Sequence, residues 1–308
     1  MSTVPRVTAV VVTHDRRDLL TEALEALAAQ TRRPDSVIVV DNASTDGTPG
    51  LVRERFPEAD LLALGANTGG AGGFAAGIAR ALDTPGTGLI WLMDDDTVPE
   101  PGALAALLDA RERASGEPVL IASRVVWTDG RDHPMNTPRV KPGASRAELD
   151  AAQEIGCRPV RSASFVSVLV DAAAVRERGL PVADYFLWND DFEFTTRLLR
   201  GRIGLYCPAS VVVHKTGTFG GTDADPGDRF YYEVRNKIWL FTRSRGLAPA
   251  ERVVYAGSSI RRWARTYLRS HDRATLRKGL REGVRDGLRR RPRPTEEVIS
   301  TALRRYDP

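Results

Sequence analysis

The chain has 308 residues, 42% hydrophobic and 27% charged, with a formal net charge of +4. These fractions belong to a globular protein of one large domain with an appendage, and they exclude a disordered or fibrous chain. No run of roughly eighteen apolar residues is present to span a membrane, and residues 1–6 lack a signal-peptide profile. Cys157 and Cys207 are too few and too far apart in sequence to announce a disulfide framework or a zinc site, so the expected compartment is the reducing cytosol.

In chain order, residues 7–13 form a β-branched run that predicts a strand. Leu19, Leu20, Ala23, Leu24 and Leu27 then recur at helical spacing over 18–29. A second strand is expected at 36–40, a turn-rich segment at 41–48, a helix at 49–56 and a short strand at 60–63. A helix over 72–82 and a strand over 89–93 follow. Strands separated by helices of this length imply right-handed βαβ units and a mostly parallel sheet. Beyond a helix at 101–113 and a strand at 119–126 the pattern loosens. Residues 128–161 are polar, contain Pro134, Pro138 and Pro142, and predict a long loop with a short helix near 147–154. Long irregular segments in a compact domain are usually functional or disordered. Strands are expected again at 165–170, 203–207 and 211–214, with a helix at 192–199, and from Tyr231 onward the chain reads as helical.

The apolar run Leu89-Ile90-Trp91-Leu92-Met93 ends in Asp94-Asp95-Asp96. A buried strand closing in carboxylates delivers charge to the sheet edge where open α/β sheets place their ligands. If the backbone stays extended, Asp94 and Asp96 face one side and Asp95 the other. Two hard oxygen ligands on one side suit Mg²⁺ or Mn²⁺ bridged to substrate phosphates. The plainer alternative is a polar turn. Residues 67–74 (Asn-Thr-Gly-Gly-Ala-Gly-Gly-Phe) precede a helix, and glycine lets backbone approach a ligand closely. The cluster does not follow the first strand, so it is no Rossmann fingerprint, and a flexible loop is the alternative. Asp190 and Asp191 sit among Tyr185, Phe186, Trp188 and Phe192 at a predicted helix start. They read either as helix-capping acids or as a general base whose proton affinity is raised by neighbouring rings. His214 closes the run Val211-Val212-Val213, either as a structural histidine or as a third metal ligand.

Taken together, these segments resemble family 2 glycosyltransferases of the GT-A fold, a mostly parallel α/β sheet flanked by helices. The segments Thr13-His14-Asp15-Arg16, 40–48, Asn67 to Gly73, Met93 to Thr97 and 189–193 match that family's motifs in order, over roughly residues 5–240. The closer resemblance is to bacterial galactofuranosyltransferases of cell-wall galactan synthesis. They have a similar glycine loop, aspartate triplet, Trp before an acid pair, later His, and a Tyr-rich segment leading to Arg-Asn, here Arg235-Asn236. Related rhamnosyltransferases share much of the pattern. The resemblance implies that Asp41 contacts the base or ribose and that Thr13, His14, Arg16, Asn67, Gly70, Asp94, Asp95 and Trp188 line the nucleotide-sugar site. It further implies that Asp94, Asp96 and His214 hold Mn²⁺ or Mg²⁺, and that Asp191 is the base. An extra Asn189 between Trp188 and the acids leaves Asp190 as the alternative base. The implied reaction is inverting, metal-dependent transfer from a nucleotide-diphosphate sugar, UDP-galactofuranose first and dTDP-rhamnose second, to a glycan or lipid-linked hydroxyl. A binding subunit on the same fold is the non-catalytic alternative. It would have no need of a base.

The implied catalytic domain covers residues 1–240, and 241–308 form a helical extension. From Arg243 onward 18 Lys+Arg stand against 7 Asp+Glu, so the body before it is net acidic and would need a metal or local donors to hold a diphosphate. Arginines at spacings of three to four between Arg261 and Arg285, interleaved with Trp263, Tyr267, Leu268, Leu276, Leu280 and Val284, form a basic helical face with apolar neighbours. Such a face either packs on the body or lies on an anionic membrane, which would make the cytoplasmic protein peripheral to the inner face of the cell membrane. Nucleic acid is not expected as a partner, because no recognised binding motif accompanies the charge.

Overall fold

The computed structural model describes residues 5–138, 140–217, 219 and 225–305. Its first part alternates strictly: β1 (Arg6–Thr13), α1 (Arg17–Ala28), β2 (Ser36–Asp41), α2 (Thr48–Arg55), β3 (Asp60–Ala63), α3 (Gly69–Asp83) and β4 (Thr87–Asp94). Then come β5 (Thr97–Pro99), α4 (Ala103–Arg113), β6 (Leu120–Val126), α5 (Arg146–Glu154), β7 (Arg158–Pro159), β8 (Val168–Asp171), α6 (Ala172–Arg178), α7 (Asp190–Leu198) and β9 (Gly204–His214). Four helices close the chain: α8 (Phe230–Thr242), α9 (Pro249–Arg269), α10 (Arg273–Arg289) and α11 (Thr295–Arg304).

The strands form one mixed sheet in the order β3-β2-β1-β4-β8-β6-β9-β5, with β7 paired to β9. The βα units make β3, β2, β1 and β4 parallel, while β8 runs antiparallel to both β4 and β6. The period of two divides the core cleanly. Val10, Val12, Ile90 and Leu92 face the layer that contains α3 and α7, and Val7, Ala9, Val11, Leu89, Trp91 and Met93 face α1 and α4. Both faces are covered, so these strands read as continuous apolar runs rather than alternating ones.

Several elements differ from the sequence expectation. The strands expected at 203–207 and 211–214 are one strand, β9, whose register against β6 shifts between Ser123 and Arg124. The three-residue β5 is too short to show periodicity, yet it pairs antiparallel with the end of β9 and sets Thr97 opposite His214. Helix α6 was not expected. It starts where Asp171 accepts the Ala174 N–H at 2.9 Å. Helix α5 lies within the long loop as expected, held by a capping box between Ser145 and Glu148. The antiparallel β7–β9 pairing brings Cys157 beside Cys207, and both thiols are free and buried.

The C-terminal helices pack on the body. Gly279, Gly283 and Gly287, four apart on α10, let it approach α8 so closely that a Cβ at Gly283 would lie 2.8 Å from Val234. Leu276 is buried against Phe230 and Val234, with Leu280 and Val284 beside them. Helix α11 reaches back to the sheet, where the Ala302 carbonyl accepts the Gly65 N–H at 3.0 Å. Arg161, itself buried, ties the start of α9 to α7 by donating to Glu251 at 2.8 Å and to the Thr196 carbonyl at 2.5 Å.

Candidate active site

Parallel strands share their C-terminal edge, and their register sets the candidate residues side by side. Thr13 pairs with Asp41, and Val12 with Asp94. Asp94 and Asp96 converge as the sequence implied, but an extended backbone is not the reason. Strand β4 ends at Asp94, the chain turns at Asp95-Asp96, and β5 returns along β9. That turn brings donor atoms of Asp94, Asp96 and His214 within 4.8 Å of one another. Asp95 is not in that group and accepts from the Thr13 hydroxyl at 2.8 Å and from Arg16 at 3.2 Å. Arg16 also reaches Asp96 at 2.8 Å.

The electrostatics of this edge are those of crowded, desolvated carboxylates. Burial, then Asp96 and Asp95, push the Asp94 carboxyl well above the usual range. Burial likewise raises Asp95 to about 6 against the opposing charge of Arg16. Burial also works against Asp96, but His214 and Arg16 outweigh it and hold that carboxyl below its ordinary value. Asp96 Oδ1 is buried, lies 3.1 Å from His214 Nε2 and has no hydrogen bond of good geometry. Two carboxylates, one imidazole and an unsatisfied oxygen between them fit a divalent cation that accepts hard oxygen donors, Mn²⁺ or Mg²⁺.

On the neighbouring strand Asp41 is buried, with one oxygen accepting the Ser44 N–H at 3.2 Å and the other unpaired. Desolvation raises its pKa. Asn42, overlooked in the sequence, holds the glycine loop: it accepts the Thr68 N–H at 2.8 Å and donates to the Gly69 carbonyl at 2.9 Å. Asn67 itself is exposed and turns back onto the Gly69 N–H at 2.7 Å. Gly69 has φ +68°, and a Cβ there would lie 1.9 Å from the Phe186 carbonyl oxygen. That glycine is required for the packing of loop on loop. Gly70 has open space where its side chain would be, and His14 lies on the exposed side of its loop.

Helix α7 begins at Asp190, earlier than expected, so both acids occupy its first turn. Asp190 is buried and its pKa is pushed up to about 8, first by desolvation and then by Asp191. The charge of Asp190 also reaches Asp94 and adds to its upward shift. Burial raises Asp191 as well, opposed by the Phe192 N–H at 2.6 Å and by the charge of Lys237. Trp188 precedes them with φ +66°. The edge thus gathers Thr13, Arg16, Asp41, the aspartate triplet, His214 and the acid pair.

The long loop supplies two residues that sequence reasoning missed. Asn136 Oδ1 lies 3.0 Å from His214 Nδ1, and its amide donates to Ser164 at 3.1 Å. His133 is buried with its ring 5.1 Å from that of His214. With Nδ1–H donated to Asn136, the His214 Nε2 lone pair faces Asp96, the arrangement a metal-ligating imidazole needs. The only signal in the sequence was a polar, proline-rich segment too long to be a simple connection.

The family model for glycosyl transferase family 2 matches residues 8–156. Galactofuranosyltransferase GlfT1 of Mycobacterium tuberculosis is 33% identical over 252 residues, covering 76% of this chain and 82% of that protein. The chain belongs to glycosyl transferase family 2. It is a glycosyltransferase. The N-acetylglucosaminyl-diphospho-decaprenol L-rhamnosyltransferase of Mycobacterium tuberculosis is 30% identical over 240 residues, covering 70% of this chain and 77% of that one. Among solved structures, S. aureus TarS matches with a TM-score of 0.58 at 15% identity over 96% of this chain and 50% of that chain. Mannosyltransferase PcManGT from Pyrobaculum calidifontis, in complex with GDP-Man and Mn²⁺, matches at 0.54 and 17% identity over 94% of this chain and 88% of that chain. These likenesses establish the GT-A fold.

Removing the orienting partner of a metal-bound imidazole typically lowers metal affinity about 10–100-fold. Asn136→Ala is therefore expected to weaken Mn²⁺ binding by that order, measured by calorimetry in the presence of UDP, with the fold intact by circular dichroism. Unchanged affinity would show that Asn136 does not orient His214.

Proposed function

We propose that this glycosyltransferase is inverting and metal-dependent, and that it moves galactofuranose from UDP-galactofuranose to a hydroxyl of a glycan or lipid-linked acceptor. One observation carries the reading: donor atoms of Asp94, Asp96 and His214 lie within 4.8 Å of one another at the sheet edge, and the charge of Asp190 reaches Asp94. Asp94, Asp96 and His214 would hold the divalent cation. Bound there, the ion would neutralise charge developing on the leaving diphosphate. Asp41, with its free buried oxygen, would recognise base or ribose, and Arg16 would turn from the aspartates toward phosphate.

The acid pair divides the protonation work. Burial and the neighbouring Asp191 push Asp190 up to about 8 and favour its protonated form, whereas Lys237 and the Phe192 N–H favour the ionised form of Asp191. Two neighbouring acids in unlike environments take unlike roles. Asp191 then accepts the acceptor's proton as its oxygen attacks the anomeric carbon opposite the leaving group, which inverts configuration.

Asp191→Asn keeps the shape and loses the base, so kcat should fall about 10²-fold or more with UDP affinity nearly unchanged. Because burial raises this carboxyl, wild-type kcat should fall as pH drops, at a pH above the ordinary aspartate value of 3.8. That acid limb should be absent from Asp191→Asn. If Asp191→Asn retains the wild-type rate while Asp190→Asn is inactive, Asp190 is the base.

The sugar is tested by a donor panel. UDP-galactofuranose is expected to support transfer in Mn²⁺ and to fail in EDTA. Transfer from dTDP-rhamnose alone would favour the second reading, which the rhamnosyltransferase relative supports. No turnover with any donor, despite UDP binding, would make the chain a binding subunit.

We also assign a membrane contact to the outward face of α9. Val253, Val254, Ile260 and Leu268 are between 61% and 74% exposed there, with Arg261, Arg265 and Arg269 between and beside them. Among the described residues no helix is long and apolar enough to cross a membrane, so the contact would be peripheral. Each basic residue at an anionic surface contributes about 1 kcal/mol, screened by salt. The protein should co-sediment with phosphatidylserine vesicles at low salt and dissociate as salt rises. Equal binding to neutral vesicles would remove this assignment.

A further inference from the structure

Residues 185–189, immediately before the acid pair, hold a backbone that their side chains do not favour. Phe186 has φ 64° and ψ −61°, and the Leu187 N–H donates to the Tyr185 carbonyl at 2.7 Å. This is the positive-φ γ-turn, a rare and strained conformation. Trp188 and Asn189 both follow at φ +66°. Three non-glycine residues with positive φ within four positions persist only where the surroundings over-determine them. No glycine relieves the strain here.

The surroundings are α8. Asn236 is fully buried, and its single amide nitrogen lies 2.9, 2.8 and 2.9 Å from the carbonyl oxygens of Tyr185, Leu187 and Trp188. Arg235 donates to the carbonyls of Asp184 at 2.8 Å and Tyr185 at 3.0 Å, and also to Asn236 Oδ1, which fixes the direction of that amide. One turn earlier on the same helix, Glu233 accepts from the Asn189 side chain at 2.8 Å. The other Glu233 oxygen accepts from Arg262 and, at 3.2 Å, from Trp263 Nε1, both on α9. The Phe186 ring stacks on Tyr232 with centroids 5.2 Å apart.

We propose that Asn236 and Glu233 are positioning residues. Asn236 locks the turn that presents Trp188, and Glu233 fixes the left-handed Asn189 cap that sets how Asp190 and Asp191 enter α7. Through Arg262 and Trp263 this arrangement makes α9 a structural support of the acid pair. The extra Asn189 is then the handle by which α8 and α9 hold α7. The inference rests on the reading of Asp191 as base only for its consequence in turnover; the clamp itself stands on geometry.

The test compares Asn236→Ala, Glu233→Ala and Glu233→Gln with Asp191→Asn, measuring kcat, donor KM and UDP affinity by calorimetry. Misplacing a catalytic group by about 1 Å can cost on the order of 10²-fold in rate. Both alanine variants should lose kcat by about that order, and Glu233→Ala, which leaves the Asn236 lock on the Trp188 turn in place, should keep UDP affinity within about twofold. Glu233→Gln keeps an oxygen for Asn189 but sets its amide nitrogen against the donors Arg262 and Trp263, so it should recover part of the rate and exceed Glu233→Ala. A role in stability alone would lower the melting temperature and leave kcat per folded molecule unchanged, and that result overturns the proposal. If Asn236→Ala does not fold, Glu233→Ala against Glu233→Gln decides the matter alone. Full activity in Asp191→Asn with inactive Glu233→Ala would remove the base assignment and keep the clamp. An inactive Asp191→Asn with fully active alanine variants would do the reverse.

Discussion

Like charge gathered in a desolvated place is the constraint around which this molecule is arranged. Asp94, Asp95, Asp96 and Asp190 share one sheet edge, and burial raises three of the four. Only Asp96, with His214 and Arg16 against it, is held below its ordinary value. A protein pays for such a cluster in stability unless a cation or a proton relieves it. Arg16 supplies part of that relief by spanning Asp95 and Asp96, and its own side chain is half-exposed. The same cluster that weakens the fold is what a nucleotide-diphosphate donor and its metal would need.

The second organising element is α8, which faces both ways. Toward the sheet it holds the loop before the acid pair through Arg235 and Asn236, and toward the surface it receives α10 along a glycine seam. Arg235 is itself set among Tyr231, Tyr232 and Trp239, with its guanidinium 4.3 Å from the Trp239 ring centroid. A delocalised cation against aromatic faces can be buried with less loss than an ammonium would suffer. The C-terminal helices are therefore tied to the candidate site by packing and by Glu233, while Val253, Val254, Ile260 and Leu268 of α9 stay exposed.

Much of this was legible in the chain. Local periodicity placed β1, α1, β2 and β4 nearly to the residue, because a strand buried on both faces and an amphipathic helix each write their period into a short window. The aspartate triplet and the acid pair stood out because the one closes an apolar run and the other sits among aromatics. Asn189 was visible as an insertion, but its meaning was not. Its partner Glu233 is 44 residues away, and no local pattern couples them.

What the sequence by itself determined was therefore the set of elements, the residue types of the candidate site and the family to which they belong. Tertiary structure decided how they meet. The pairing of β5 with β9 puts Thr97 opposite His214 and so brings a histidine more than a hundred residues distant onto the aspartate turn. It also decided that the proline-rich loop would orient that histidine through Asn136, and that the glycine loop would open space for a carbonyl of the 185–189 turn. The physical reason is range. Propensity and periodicity act over a few residues, whereas pairing register, backbone strain and desolvated charge depend on groups that only the closed sheet brings within a few ångströms.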